Sequence, residues 1–239
     1  MLKLKTVSLL GHRSELDALP KGKLLINTIN AHSYNTALKD SLFAEALLKG
    51  DVLIPDGASI VLAFKWLRNE KIERIAGWDL FLYEMNKLNE KGGTCFFLGS
   101  SEDTLNKIVA KAAQQFPNLK VATYSPPYQP EFTSDENEAM IAAVNRAQPD
   151  LLWIGMTAPK QEKWAYKHLN QLEVNGPIGT IGAVFDFFAG NVQRAPIAWQ
   201  EKGLEWLYRL LKEPKRMWRR YIIGNTLFLW NVLKEKRNG

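Results

Sequence analysis

From about residue 24 onward the chain alternates short apolar runs with segments of helical spacing, and this alternation limits its possible folds more than any other feature. Leu24-Leu25-Ile26-Asn27-Thr28-Ile29-Asn30 reads as a buried strand. Residues 33–49 follow as a helix, with Tyr34, Leu38, Leu42 and Ala46 on one side and Gly50 closing it. Further strands are expected over 51–55, 94–98, 119–124, 150–155 and 177–182. Helices are expected over 59–68, 78–89, 102–115, 134–147 and 159–170, each bounded by Gly, Pro, Ser or Asp. Continuous apolar strands joined by helices predict an α/β fold: a mainly parallel sheet with helices on both faces, where right-handed crossovers carry them. Ligands of such sheets collect at the carboxyl ends of the strands. Attention therefore falls on Thr28 and Asn30, Asp56 and Gly57, Gly99 and Ser100, and the stretches 126–128, 155–161 and 182–186.

Charge divides the chain in two. Of 31 Lys plus Arg and 25 Asp plus Glu, residues 196–239 hold 10 and 4, so the whole +6 resides there and residues 1–195 are balanced at 21 and 21. The same tail holds four of the eight tryptophans. We therefore expect a core over 1–195 and a basic, Trp-rich helical appendage over 196–239. A nucleic-acid backbone would attract such charge, but tryptophan interleaved with leucine and isoleucine fits a membrane interface better, so no nucleic-acid partner is expected. A solvated basic face on a terminal helix pair is the plainer alternative. The longest charge-free stretch of the tail, 221–233, is 13 residues, short of the roughly 20 that a span requires. Lys3, Lys5, Arg13, Glu15 and Asp17 interrupt any secretory leader, which predicts a cytoplasmic location. The single cysteine, Cys95, excludes an internal disulfide, and His12, His32 and His168 lack paired ligand spacing, so no metal site is expected.

Individual motifs carry two readings each. Asp56 follows a strand and precedes Gly57: a general base within reach of a hydroxyl, or a plain Asp-Gly turn. Gly99-Ser100-Ser101-Glu102-Asp103 is either a phosphate-binding helix start or an ordinary turn with Ser100 and Asp103 as a capping box. Gln161, in the first turn of a helix opened by Pro159, either reads a sugar or base edge or belongs to a capped start. No Gly-x-Gly-x-x-Gly, Walker A loop or Asp-x-Asp is present, which counts against nicotinamide dinucleotides and a metal-held diphosphate and leaves cationic side chains to balance any phosphate. Arg209, Arg216, Arg219 and Arg220 are the cations so spaced that a continuous helix would gather them on one side.

Taken in order, Asn27-Thr28-Ile29-Asn30, Pro55-Asp56-Gly57, Arg74-Ile75-Ala76-Gly77, Pro159-Lys160-Gln161-Glu162, Gly182-Ala183-Val184-Phe185-Asp186, Arg194-Ala195-Pro196, Gly203-Leu204-Glu205-Trp206-Leu207-Tyr208-Arg209, Glu213-Pro214-Lys215-Arg216 and Arg219-Arg220-Tyr221 resemble the WecG/TagA/CpsF family of bacterial glycosyltransferases, glycosyltransferase family 26. The likeness runs from about residue 24 to about 222. It implies the GT-E architecture and transfer of a hexose from a UDP-sugar to a saccharide on undecaprenyl diphosphate, with inversion, no cofactor and no required metal. By matching position, Asp56 looks like the general base, with Thr28, Asn30 and Arg74 beside it. Gln161, Asp186 and Tyr128 match the substrate pocket, Tyr128 as a stacking partner for uracil, and Gly99 is counted with them from its place at a strand end. Arg209, Arg216 and Arg219 match the appendage arginines that complete the site while the tail docks on the inner face of the cytoplasmic membrane. The resemblance leaves self-association as a homo-oligomer open. The segment 123–128, Thr-Tyr-Ser-Pro-Pro-Tyr, departs from the Gly-Tyr-Phe type of many members, so N-acetylmannosamine, its uronic acid and glucose all stand as donor sugars. A UDP-sugar-binding scaffold that performs no transfer is the competing reading.

Overall fold

The computed structural model describes residues 2–237; Met1, Asn238 and Gly239, the outermost positions of the two expected units, lie outside the described residues. Six strands, Leu24–Ile29 (β1), Val52–Pro55 (β2), Gly93–Gly99 (β3), Leu119–Tyr124 (β4), Leu151–Gly155 (β5) and Pro177–Thr180 (β6), form one sheet in the order β2-β1-β6-β5-β3-β4. Every pairing is parallel, as the apolar runs predict. Between the strands lie Ala31–Ala37 (α1), Ser41–Lys49 (α2), Ala58–Arg68 (α3), Gly77–Lys91 (α4), Glu102–Gln115 (α5), Ser134–Ala147 (α6) and Lys160–His168 (α7). After β6 come Gly182–Ala189 (α8), Ile197–Glu201 (α9), Glu205–Lys212 (α10), Pro214–Trp218 (α11) and Gly224–Arg237 (α12).

The period-2 alternation of strands divides their side chains between two apolar layers. Ile26, Phe97 and Trp153 face α4, α5 and α8, packing on Phe81, Ile108 and Phe188. Their neighbours Leu25, Phe96 and Leu152 face α6 and α7, against Met140, Val144 and Trp164. Cys95 is a buried strand residue whose Sγ lies 3.6 Å from Met85 Sδ.

Three local expectations change. Residues 33–49 form two helices because Asp40 caps a new one, its Oδ1 accepting from the Phe43 amide at 2.9 Å while Oδ2 pairs with Lys163. The cap of α5 is Ser101, whose Oγ accepts from the Thr104 amide; Ser100 instead takes φ +61°, so the Ser100–Asp103 box does not form. Strand β6 stops at Thr180 because the Val184 amide already turns back to Ile181 and α8 begins at Gly182.

The tail is a helical strap. Pro214 opens α11, where its missing amide costs nothing. A π-helical turn over Arg219–Ile223 then joins α11 to α12, with the Gly224 amide reaching back to the Arg219 carbonyl. Phe228 and Val232 of α12 fill a third apolar cluster with Leu2, Leu4, Ile29, Tyr34, Leu53 and Phe64. Tyr34 meets Phe228 edge to face at 5.4 Å and donates its hydroxyl proton to Glu235 at 2.8 Å. Asn35 donates to the Gly224 carbonyl at 2.7 Å, fixing the strap where the π turn ends. Among the described residues no helix is long and apolar enough to cross a membrane.

Candidate active site

Strands β1 and β2 end side by side, Ile29 opposite Pro55, and the chain turns away at Asn30 and Asp56. Asn30 caps α1, its Oδ1 accepting from the amides of His32 and Ser33 at 3.0 and 3.1 Å. The Asp56 amide donates to the Ile29 carbonyl at 2.9 Å, which holds the two turns together. Gly57 lets them approach: a Cβ there would lie 3.2 Å from that of Asn30. The tail crosses above and closes a cavity of about 890 Å³, with Asn30, His32, Asp56, Arg74, Arg209 and Arg220 along its polar side.

Asp56 retains some contact with the cavity yet is surrounded by protein, and this burial pushes its carboxyl up to about 6. Arg74, the Gly77 amide and Arg209 pull the other way, while Glu205 adds to the rise. A carboxylate so adjusted is a base poised near neutral pH. Glu205 comes from α10, and its two oxygens hold the body to the tail: Arg74 Nη2 at 2.6 Å and Arg194 Nε at 3.4 Å. Burial alone would raise Glu205, but these two guanidinium groups hold it below its ordinary value. A partly buried acid shared by two arginines is a joint that costs more to break on one side than to keep.

Of the expected residues, the structure gathers Asn30, Asp56, Arg74 and Arg209 in this cavity. Thr28 sits within β1, opposite Ile54, and does not line it. Gln161 is buried at the middle of the sheet edge, where its Oε1 accepts from the Met156 and Gly182 amides at 3.1 Å and its Nε2 donates to Glu162 at 2.9 Å. Both ends of that amide are engaged inside the protein. At Gly182 a Cβ would come within 2.3 Å of the Met156 carbonyl, so only glycine lets these loops close. Gly99, at φ +116°, similarly passes the Gly155 carbonyl too closely for any Cβ. Asp186 is partly exposed in α8, one residue before Phe187, over which Arg209 stacks at 5.1 Å. Tyr128 is fully exposed in the loop after β4, at the far side of the sheet. Arg216 and Arg219 do not line the cavity: the first pairs with Glu213 at 2.8 Å and the second lies over Trp218.

Three cavity residues were not among the expected site residues. Glu205 stands inside a quoted motif, but nothing in one dimension brings it to Arg74. Arg220 belongs to the tail cations, and only the π turn decides that it, rather than Arg216 or Arg219, faces inward. His32, weighed in the sequence only as a metal ligand, lines the cavity, where burial and then the Arg220 charge lower its pKa to about 4. Its legible signal is its position two residues after the Asn30 cap. Among the described residues no three His, Cys, Asp or Glu side chains gather as a metal site would.

Comparison with known proteins covers nearly the whole chain. A family model described as "Glycosyl transferase WecG/TagA/CpsF family" matches residues 5–239. An N-acetylglucosaminyldiphosphoundecaprenol N-acetyl-beta-D-mannosaminyltransferase of Bacillus subtilis (strain 168) is 33% identical over 216 residues, 90% of this chain and 80% of that protein. The protein of the same name from Bacillus spizizenii is 30% identical over 91% of this chain and 81% of its own length. A third, from Staphylococcus aureus (strain MW2), is 28% identical over 90% and 81%.

Proposed function

The chain belongs to the WecG/TagA/CpsF family and is a glycosyltransferase, and from that premise we propose that it moves a hexose from a UDP-sugar to a saccharide carried on undecaprenyl diphosphate, with inversion and without a required metal, in the synthesis of a cell-surface polymer. The names of the relatives favour N-acetylmannosamine as the sugar and N-acetylglucosaminyl-diphosphoundecaprenol as the acceptor. The observation that carries the reading is a carboxyl raised to about 6 in a cavity bordered by arginines. Asp56 takes the proton of the acceptor hydroxyl, whose oxygen attacks the anomeric carbon from the side opposite UDP. The bond from that carbon to the diphosphate oxygen breaks, and UDP leaves with the bonding pair. Arg209 supplies positive charge to it, in the manner of a guanidinium fork on phosphate.

Arg74 is then a positioning residue, held by Glu205 beside Asp56. The nucleotide lies along the middle of the sheet edge, by Gly99 and Asp186, with Tyr128 free to fold over the base. Gln161 acts from below by fixing the loops of Met156 and Gly182. Thr28, Arg216 and Arg219 support the pocket or the lipid surface rather than the reacting atoms. The tail is the membrane-facing unit, on the cytoplasmic side. It turns Trp206, Leu211, Trp218, Ile222, Leu229 and Trp230 outward, together with Lys212, Lys215, Arg216 and Arg219, a composition suited to an anionic leaflet.

The test is to offer UDP-N-acetylmannosamine, its uronic acid and UDP-glucose with the lipid-linked acceptor and to identify the product by mass spectrometry. Asp56→Asn is expected to lower turnover by about a hundred- to ten-thousandfold with donor affinity little changed. Full activity in that variant removes Asp56 from the chemistry. Nucleotide binding by the wild type without transfer of any donor returns the chain to the scaffold reading.

A further inference from the structure

The cavity has two unlike walls. Its inner side carries Asp56, His32 and the guanidinium groups, while its outer side is built from Leu62 and Trp66 of α3 and from Leu229 of α12. Leu62, Trp66 and Leu229 are all exposed, at 67%, 43% and 58%, so this apolar wall opens to the surroundings rather than closing into the core.

The arginines of the site also differ. Arg74 is occupied by Glu205, and Arg216, outside the cavity, by Glu213. Arg209 and Arg220 each keep a buried Nε that meets no acceptor, and neither is in an ion pair among the described residues. A buried donor without an acceptor is costly, and two such cations along one cavity are a place that an anion completes. Burial holds Arg220 below the usual arginine range, and the neighbouring Arg209 charge adds to this. The two guanidinium groups nonetheless look toward different parts of the site. Arg209 lies over Phe187, next to Asp186. Arg220 acts on His32, on the α1 side, and is followed in the chain by the cavity residues Tyr221 and Ile222.

We propose that Arg220 seats the diphosphate of the lipid-linked acceptor, and that the first isoprene units of its chain leave the cavity along Leu62, Trp66 and Leu229. The assignment rests on the transferase reading above and divides its labour: Arg209 serves the diphosphate that departs, Arg220 the one that stays. Charge and apolarity together select this occupant. A nucleoside diphosphate has nothing to lay against an open apolar wall, whereas a polyprenyl diphosphate carries its anionic group and its hydrocarbon in the order in which the cavity offers cation and leucine. With the diphosphate at Arg220, the saccharide extends inward past His32 and Asn30 to Asp56, where its hydroxyl is deprotonated.

The experiment is steady-state kinetics of the full chain with UDP-N-acetylmannosamine and N-acetylglucosaminyl-diphosphoundecaprenol, varying each substrate in turn. Arg220→Gln is expected to raise the acceptor KM at least tenfold while the donor KM stays within twofold, and Arg220→Lys to recover part of the loss. Farnesyl diphosphate should compete with the acceptor in the wild type, more strongly than inorganic diphosphate, and should lose most of that advantage in Leu62→Gln. A raised donor KM with an unchanged acceptor KM in Arg220→Gln would give the anion site to UDP and overturn the proposal, as would equal inhibition by farnesyl and inorganic diphosphate. If Arg220→Gln does not fold, the farnesyl diphosphate comparison in the wild type and in Leu62→Gln decides. A wild-type protein that transfers no sugar from any donor refutes the transferase reading itself, an outcome distinct from normal transfer that is indifferent to Arg220.

Discussion

The sheet and the tail use the same residue types to opposite ends. Trp153 of β5 is fully buried between Phe81 and its neighbours, 5.5 Å from that ring, and its strand is hydrogen-bonded on both sides. Trp230 of α12 is half exposed, with only Lys234 lying over its ring. Among the described residues of the tail only Met217, Phe228 and Val232 are buried, whereas eight large apolar side chains from Trp206 to Leu233 stay outside. Apolar content in the body is therefore spent on cohesion, and in the tail mostly on a surface. The cavity at the strand ends needs both regions, because its floor belongs to one and its roof to the other.

That contrast can be tested by making one type of change in several places. Trp153→Ala should be the most damaging, about 3–5 kcal/mol in chemical denaturation, since the ring leaves a void that the strands cannot collapse into. Phe228→Ala should cost somewhat less, about 3 kcal/mol, because α12 can shift over the gap, and it should reduce transfer as the roof loosens; a variant with unaltered activity would mean that the polar ties of Glu205, Glu235 and Asn35 suffice to hold the roof. The pH profile follows in size. As the proposed base, Asp56 must be ionised to act and is raised to about 6, so kcat/KM should rise with pH up to that value, about tenfold per unit below it. A profile level from pH 5 to 7 would break the link between burial and base strength. Trp230→Ala is the smallest: within about 0.5 kcal/mol in stability, but with several-fold weaker binding to anionic vesicles in a sedimentation assay. Equal binding by the variant would leave the outward tryptophans without the use proposed for them.

The sheet was legible because its signal is local. Six apolar runs became six strands within a few residues, since a segment such as 95–98 has no soluble alternative to burial on both faces. What escaped was set by single polar atoms or by distance along the chain. The Asp40 cap divides one expected helix into two, and Ser101 rather than Ser100 caps α5. At the site, Asp56 and Asn30 could be found because each follows a strand end, a position defined by the fold class. Glu205 and Arg220 could not. The first meets Arg74 across 131 positions, and the second owes its direction to a widening of the helix that no spacing rule anticipates.

That widening has a consequence for how the strap is geared. An ordinary helix advances about 100° per residue, whereas the wider turn between Arg219 and Gly224 takes in one more residue for about the same rotation. Removing that residue would restore regular winding and leave α12 nearly in phase, so Phe228 and Val232 would keep their seats while the side chains of the turn itself, Arg220 among them, would be re-aimed. The length of this stretch therefore governs what the roof presents to the cavity more than where the roof sits.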